Sequence, residues 1–448
     1  MWVVLLLAGL WFTLRSGFWQ VFYIGRIFRE TLGSLRRTAP PLSQPEASKG
    51  VTPFQAMSTA LASTVGTGNI AGVATAIVAG GPGAIFWMWV SALLGMMTKY
   101  AEVFLAVKHR KKAPGGGFYG GPMYYMEAIG WKIPAVIFAM LCMTSALGVG
   151  NLTQINTLAD AAYTVFHVPK MATAVVTASL AALVVLGGIR SVGAVTEKLV
   201  PFMSVLYIGL SAAVLIICRD GILPAFQIIV AGAFTPQAAF GGAAGYTVFR
   251  AMRYGVSRGV FTNEAGLGSA PIAHACADTD SPERQGMWGA LEVFIDTIVL
   301  CTLTALVILA AGVFTPGGEL DGAALTVAAF EHALGPFGAG AVAVCTALFA
   351  FATIPGWCFY GEQCCLYLSR SFRARRLGAK SEVSPPDGRW NSSILYRAAF
   401  IVLLLPGAAL RLETVWHFAD VMNALMALPN LAALLVMSRQ VFAGLREL

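Results

Sequence analysis

Two short runs decide how this chain reads: Ser63-Thr64-Val65-Gly66-Thr67-Gly68-Asn69 and Phe261-Thr262-Asn263-Glu264-Ala265-Gly266-Leu267-Gly268-Ser269. Each is a polar, glycine-rich patch inside an otherwise apolar stretch. Glycine costs a helix interior roughly 0.5–1 kcal/mol relative to alanine, so both patches predict a helix that is interrupted midway. An interruption inside a membrane frees backbone N–H and C=O groups, which only protein, ligand or a water-lined cavity can satisfy.

The surroundings are those of a membrane protein. Of 448 residues, 57% are hydrophobic and only 12% charged, about half the charged share of a soluble domain. Eleven apolar stretches are long enough to span, near 1–25, 53–79, 82–107, 133–165, 170–187, 193–217, 244–276, 286–312, 338–368, 392–410 and 414–437. Two shorter ones, 222–233 and 323–334, read as surface helices in loops. The fold class expected is an all-α polytopic membrane protein with eleven transmembrane helices.

The net charge of +8 resides in short basic runs between apolar stretches. Arg26, Arg29, Arg36, Arg37 and Lys49 follow the first stretch. Lys108, Arg110, Lys111 and Lys112 follow the third, and Arg370, Arg373, Arg375, Arg376 and Lys380 the ninth. Arg439 and Arg446 lie in the tail. With an odd number of spans, all these runs fall on one side, which puts the N-terminus outside and the C-terminus in the cytoplasm. The basic residues therefore read as topology, with the lipid bilayer as partner and no nucleic acid. The N-terminal run has no basic segment ahead of it and Arg15 follows it, so it reads as a retained helix, not a cleaved signal. The eight cysteines, Cys364-Cys365 included, show no metal-ligand spacing and read as small buried residues.

Setting aside the first helix leaves ten, and the first helix of each group of five carries one of the two patches. Glycine-broken segments at corresponding positions of two halves point to an inverted-repeat transporter with its site at the breaks. The expected organisation is an extra helix (1–25), a basic cytoplasmic loop (26–50), a five-helix repeat (51–218), an extracellular linker (219–240), a second inverted repeat (241–442) and a tail (443–448).

Broken helices carry chemistry at their ends. Exposed N-terminal ends favour an anionic group such as a carboxylate, and carbonyl ends favour a small cation; a zwitterionic amino acid with Na⁺ satisfies both. Hard cations take oxygen ligands, which the patches supply from Thr64, Thr67, Asn69, Thr262 and Asn263, with Thr353 in the ninth helix and Asn151, Gln154 and Asn156 in the fourth. The asparagine and glutamine side chains serve equally as helix–helix hydrogen bonds. Glu264 lies inside the second break, and Asp160, Glu292, Asp296, Glu362 and Asp420 lie in or near other spans. Glu264 either locks the unwound segment or carries a proton; the locking role is favoured because no histidine stands beside it in sequence.

Longer runs carry a resemblance. Residues 80–95, Gly-Gly-Pro-Gly-Ala-Ile-Phe-Trp-Met-Trp-Val-Ser-Ala-Leu-Leu-Gly, resemble the signature of the alanine or glycine:cation symporter family. So do residues 68–73, 120–125, 258–271 and 356–362. The resemblance implies a bacterial or archaeal inner-membrane importer of alanine or glycine with Na⁺, whose fold is similar to that of neurotransmitter:sodium symporters, with no organic cofactor. It further implies that Thr64, Asn69 and Thr262 belong to one sodium site, and Val65 and Thr353 to a second. The Gly66-Thr67-Gly68 backbone, Gln154, Asn263 and Trp357 are implied to line the substrate pocket. Pro355 stands where a bulkier aliphatic residue is usual in that family.

Two alternatives stand beside Na⁺ symport. The nearer is proton coupling in the same fold, with Glu264 or Asp296 titrating. The distant one is a membrane-embedded hydrolase, since Gly255-Val256-Ser257-Arg258-Gly259 matches G-x-S-x-G; it lacks the strand-to-helix context that motif needs, and the chain reads as no enzyme.

Overall fold

The computed structural model describes residues 1–36, 50–113, 116–234, 248–376, 389–410 and 412–448. Arg37, Lys49 and Lys380, which contribute to the orientation argument, lie outside them, as do residues 235–247 of the linker and the start of the second repeat. The fold is mostly helical, with one addition to the all-α expectation: a two-stranded antiparallel ribbon pairs β1 (Lys111–Lys112) with β2 (Phe118–Tyr119).

Helix α1 (Trp2–Arg15) is shorter than the 1–25 stretch. Gly17 and Phe18 take positive φ of 67° and 57°, which stops the helix, and short helices at Trp19–Phe22 and Ile24–Glu30 follow. Helix α2 (Pro53–Thr64) starts from a capping box. The Gln55 N–H donates to the Thr52 hydroxyl at 3.1 Å, and the Thr52 N–H donates to Gln55 Oε1 at 3.0 Å. It stops at the first glycine run, which forms a single 3₁₀ turn at Thr67–Asn69, and α3 (Ala71–Gly80) resumes beyond it.

Helix α4 (Gly83–Lys108) and a short helix at Pro122–Ala128 are followed by α5 (Lys132–Phe166), α6 (Lys170–Leu186), α7 (Gly188–Ile217), α8 (Ile222–Phe234), α9 (Val248–Asn263), α10 (Pro271–His274) and α11 (Pro282–Ala310). A continuous helical run, Gly322–Arg376, breaks at Gly335, where φ is 64°, giving α12 (322–334) and α13 (336–376). Helices α14 (Arg389–Gly407) and α15 (Leu412–Arg446) complete the chain. Helices α5 and α11 each contain a π-helical stretch, Gly148–Leu152 and Phe294–Cys301, a local widening that frees carbonyls and recurs at functional sites.

Among the described residues, six helices are long and apolar enough to cross a membrane: Gly83–Lys108, Lys132–Phe166, Gly188–Ile217, Pro282–Ala310, Gly322–Arg373 and Thr414–Arg446. The surface is that of a protein solvated by lipid. Leu183, Val205 and Ile216 are each about 70% exposed, whereas Lys99, Glu102, Glu292 and Asp296 are fully buried. Ionisable groups inside a membrane face the bundle interior and pair there.

Candidate functional site

The first break is held open by hydroxyls from three helices. The Thr353 hydroxyl of α13 lies 2.9 Å from the Ala62 carbonyl and 3.4 Å from that of Val65. The Thr304 hydroxyl of α11 donates to the Asn69 carbonyl at 2.7 Å, and that of Thr326 in α12 to the Ile70 carbonyl at 3.1 Å. Carbonyls that a continuous helix would have paired are thus met by side chains, which is what makes an unwound segment tolerable away from water.

Asn69 organises the turn. Its Oδ1 accepts the Gly66 N–H at 3.0 Å, and its Nδ2 donates to Asp296 Oδ1 at 2.7 Å and to the Asp296 carbonyl at 3.1 Å. The Thr67 N–H donates to Gln154 Oε1 at 3.2 Å, and Gln154 Nε2 donates to the Val149 carbonyl at 3.0 Å, in the π-helical stretch of α5. The glycines are required by close approach. A Cβ on Gly66 would lie 2.7 Å from Thr353 Oγ1 and 3.1 Å from Gln154 Oε1, and one on Gly68 would lie 2.7 Å from Thr262 Cγ2.

That last contact joins the two sequence runs. The second break follows Asn263, where Glu264 adopts the left-handed region with φ 55°. Asn263 spans it: Oδ1 accepts the Ala265 N–H at 3.0 Å and Nδ2 donates to the Thr297 hydroxyl at 3.1 Å. The Glu264 carboxylate accepts the Ser269 hydroxyl across the unwound loop. Thr297 in turn donates to Asp296 Oδ2 at 2.8 Å. Asp296 therefore gathers Asn69 of the first break and, through Thr297, Asn263 of the second, and Cys301 lies between Asn69 and Thr262.

The structure brings Val65, Gly66, Thr67, Gly68, Asn69, Gln154, Thr262, Asn263 and Thr353 into one buried cluster. Thr64 is less directly engaged, since its hydroxyl bonds the Ala60 and Leu61 carbonyls of its own helix at 3.3 and 3.1 Å. Trp357 packs against the π-helical stretch, close enough that a Cβ on Gly150 would fall 1.9 Å from its own Cβ. Two buried donors in this region, the Thr67 hydroxyl and the Trp357 indole N–H, have no hydrogen-bond partner among the described residues. A buried unpaired donor costs about 1–3 kcal/mol, so both suit a ligand that accepts hydrogen bonds. Asn151 and Asn156 face away. Asn151 Nδ2 donates to the Phe400 carbonyl, and Asn156 Nδ2 to those of Gly407 and Leu410 at 3.2 and 2.7 Å, so both tie α5 to α14.

Four of the other acids in or near the spans, Asp160, Glu292, Glu362 and Asp420, pair with basic side chains. Glu362 meets Arg397 at 2.6 Å, Asp420 meets Arg258 at 2.8 Å, and Asp160 pairs with Lys170. Glu292 is shared by Lys99 at 3.2 Å and His274 at 3.0 Å, all three side chains wholly buried. Sequence reasoning passed over Lys99, though a lysine inside an apolar stretch is itself the signal. It also passed over Thr297, Thr304 and Thr326, which carry no signal in a membrane helix until their carbonyl partners are known. Ser257 of the G-x-S-x-G run lies inside helix α9, not on the strand-to-helix turn that the motif needs.

A family model described as the sodium:alanine symporter family matches residues 1–448. A sodium/alanine symporter of Methanococcus maripaludis is 45% identical over 445 residues, covering 97% of this chain and 91% of that protein. An uncharacterized transporter of Haemophilus influenzae is 44% identical over 432 residues, covering 96% and 88%. Among solved structures, a Na⁺-coupled sialic acid symporter in a substrate-bound outward-open state aligns with TM-score 0.56 at 14% identity, covering 95% of this chain and 86% of that one. MhsT in complex with L-phenylalanine aligns with TM-score 0.54 at 15% identity, covering 89% and 96%. At those identities the likeness is one of fold.

Proposed function

The chain belongs to the sodium:alanine symporter family, a family of transporters and not enzymes, and from that premise we propose that it imports a small neutral amino acid, alanine or glycine, with Na⁺ by alternating access. The observation that carries the reading is the contact of Gly68 with Thr262, supported by the Asn69–Asp296 bonds. Two unwound segments meet in one buried cluster of hydroxyl, amide and carbonyl groups.

The roles follow from the chemistry. Asn69 and Thr262, with Thr64 one turn back, offer oxygens to one cation, and the Asp296 carboxylate beside them supplies the negative charge that neutral donors lack. The Val65 and Ala62 carbonyls with the Thr353 hydroxyl offer a second. The Gly66-Thr67-Gly68 backbone and the free Thr67 hydroxyl receive the substrate carboxylate, while Gln154, Asn263 and Trp357 complete the pocket wall. Glu264 acts as a lock on the second unwound segment through Ser269. Pro355 lies inside α13 beside this wall and helps set the size of side chain accepted.

The six long apolar helices, the two broken pairs α2–α3 and α9–α10, and α1, α6 and α14 together make eleven spans, one plus five plus five, divided at 25, 50, 218, 240 and 442. The N-terminus lies outside and the C-terminus in the cytoplasm of a prokaryotic cell. The deciding experiment is uptake of labelled alanine and glycine into proteoliposomes under an inward Na⁺ gradient; uptake that persists when K⁺ replaces Na⁺ sinks the proposal. The proton-coupled reading draws on the buried Asp296 and Glu264 carboxylates, and uptake that follows a pH gradient at constant Na⁺ would favour it.

A further inference from the structure

The ends of both broken segments meet again at the face where α4 ends, away from the site. Val51, just before α2, forms a parallel β-bridge with Ala277, just after α10. The Asp278 N–H donates to the Val51 carbonyl at 2.7 Å. Gln285 Nε2 reaches the Pro53 carbonyl at 3.4 Å and His274 Nδ1 at 2.8 Å. Over this junction lies Arg110, at the start of the β1–β2 hairpin. Its two terminal nitrogens donate to the carbonyls of Ala277 and Thr279, and its guanidinium stacks 3.6 Å above the Phe118 ring of β2.

We propose that Arg110 is the latch that holds this face of the transporter shut: its fork pins the segment after α10 to the hairpin, and through the Val51–Ala277 bridge it pins both broken segments to each other. A planar guanidinium spanning two carbonyls two residues apart on one stretch of backbone is a geometry that lysine cannot reproduce. Stacking on Phe118 covers one face of the guanidinium and fixes its direction. The opposite face is organised differently. There Phe261 packs against Trp416 with ring centroids 4.6 Å apart and Arg258 pairs with Asp420, and a cavity of about 420 Å³ lined by Phe249, Phe261, Asp420 and Asn423 reaches down to the ring beside Gly68. The latched face has to part for solute to leave on that side. Opening breaks the two Arg110 bonds and the bridge together, because all three end on residues 277–279.

The proposal rests on the alternating-access reading but is testable apart from the substrate. Cys276, 5% exposed and next to Ala277, is a native reporter of the junction. In inside-out vesicles carrying the full chain, a membrane-impermeant maleimide should label Cys276 slowly in the wild type. Labelling should rise about tenfold or more in Arg110→Gln, each lost charge-assisted bond shifting the closed–open ratio by around that factor. Arg110→Lys should fall between, and Cys276→Ala identifies the signal. Equal labelling in all three folded proteins overturns the latch. If Arg110→Gln fails to fold, a second arm decides. In a Cys276→Ala background, Val51→Cys and Ala277→Cys place two thiols on bridge partners within disulfide reach. Oxidation should stop alanine uptake and reductant should restore it; a closed disulfide that leaves uptake at its reduced rate overturns the proposal. A Cys276 labelling rate that rises in Arg110→Gln over the wild type, in a protein whose wild type takes up no alanine or glycine, would sink the amino-acid reading and leave the latch standing.

Discussion

At the scale of single residues, the site depends on atoms that are absent as much as on those present. Gly66→Ala would put a methyl 2.7 Å from Thr353 Oγ1 and 3.1 Å from Gln154 Oε1. Those two side chains hold the turn, so the methyl displaces them or the substrate. Overpacking of this kind costs about 1–3 kcal/mol. The expected outcome is alanine uptake reduced about tenfold to hundredfold at near-normal folded yield, measured in proteoliposomes with expression checked by size-exclusion chromatography. Thr262→Val keeps shape and removes one oxygen. It should raise the Na⁺ concentration for half-maximal uptake about tenfold, the equivalent of 1.4 kcal/mol, while alanine affinity at saturating Na⁺ changes less; an unchanged Na⁺ dependence would remove Thr262 from the cation site. Asn69 stands apart from both. Its amide is committed to Gly66 and Asp296, so Asn69→Ala should lose Na⁺ and substrate dependence together.

At the scale of elements, the broken helices stand because their neighbours replace what the breaks remove. Thr304, Thr326 and Thr353 each bring a hydroxyl to a carbonyl at or beside the 65–70 turn. The lower halves are secured by other means. The Thr52–Gln55 box fixes the start of α2, and Thr52→Ala should lower stability by about 1 kcal/mol, read as a shift in thermal unfolding in detergent with uptake per folded molecule little changed. Glu292 of α11 binds Lys99 of α4 and His274 of α10 with no exposure to solvent. Removing one member of a buried pair leaves a charge uncompensated, at about 3–5 kcal/mol. Glu292→Gln is therefore expected to unfold at markedly lower temperature, and Lys99→Met added to it should recover most of the loss. A double variant no more stable than Glu292→Gln alone would show that Lys99 is not the strained partner.

At the scale of the whole molecule, charge and apolar surface are turned inside out relative to a soluble protein, and topology follows from which loops carry arginine and lysine. A fluorescent protein that matures only in the cytoplasm, fused after Leu448, is expected to glow; a dark fusion in an otherwise active protein would reverse the orientation. Much of this was legible in the linear chain. Hydropathy reports the solvent of each segment directly, since crossing the hydrocarbon core takes about 20 predominantly apolar residues in a row. Paired glycine patches report breaks because glycine's cost is local. By itself, then, the sequence determined a polytopic helical membrane protein, its family resemblance and the two runs that unwind. Only the tertiary structure decided that Asp296 joins the two breaks, that Asn151 and Asn156 belong to helix packing while Gln154 belongs to the site, that Thr64 spends its hydroxyl on its own helix, and that Arg110 closes over residues 277–279. The reason is physical: a polar side chain in a buried helix acquires its role from the partner that satisfies it, and for Gln154 and Thr353 those partners lie 87 and 291 residues away along the chain.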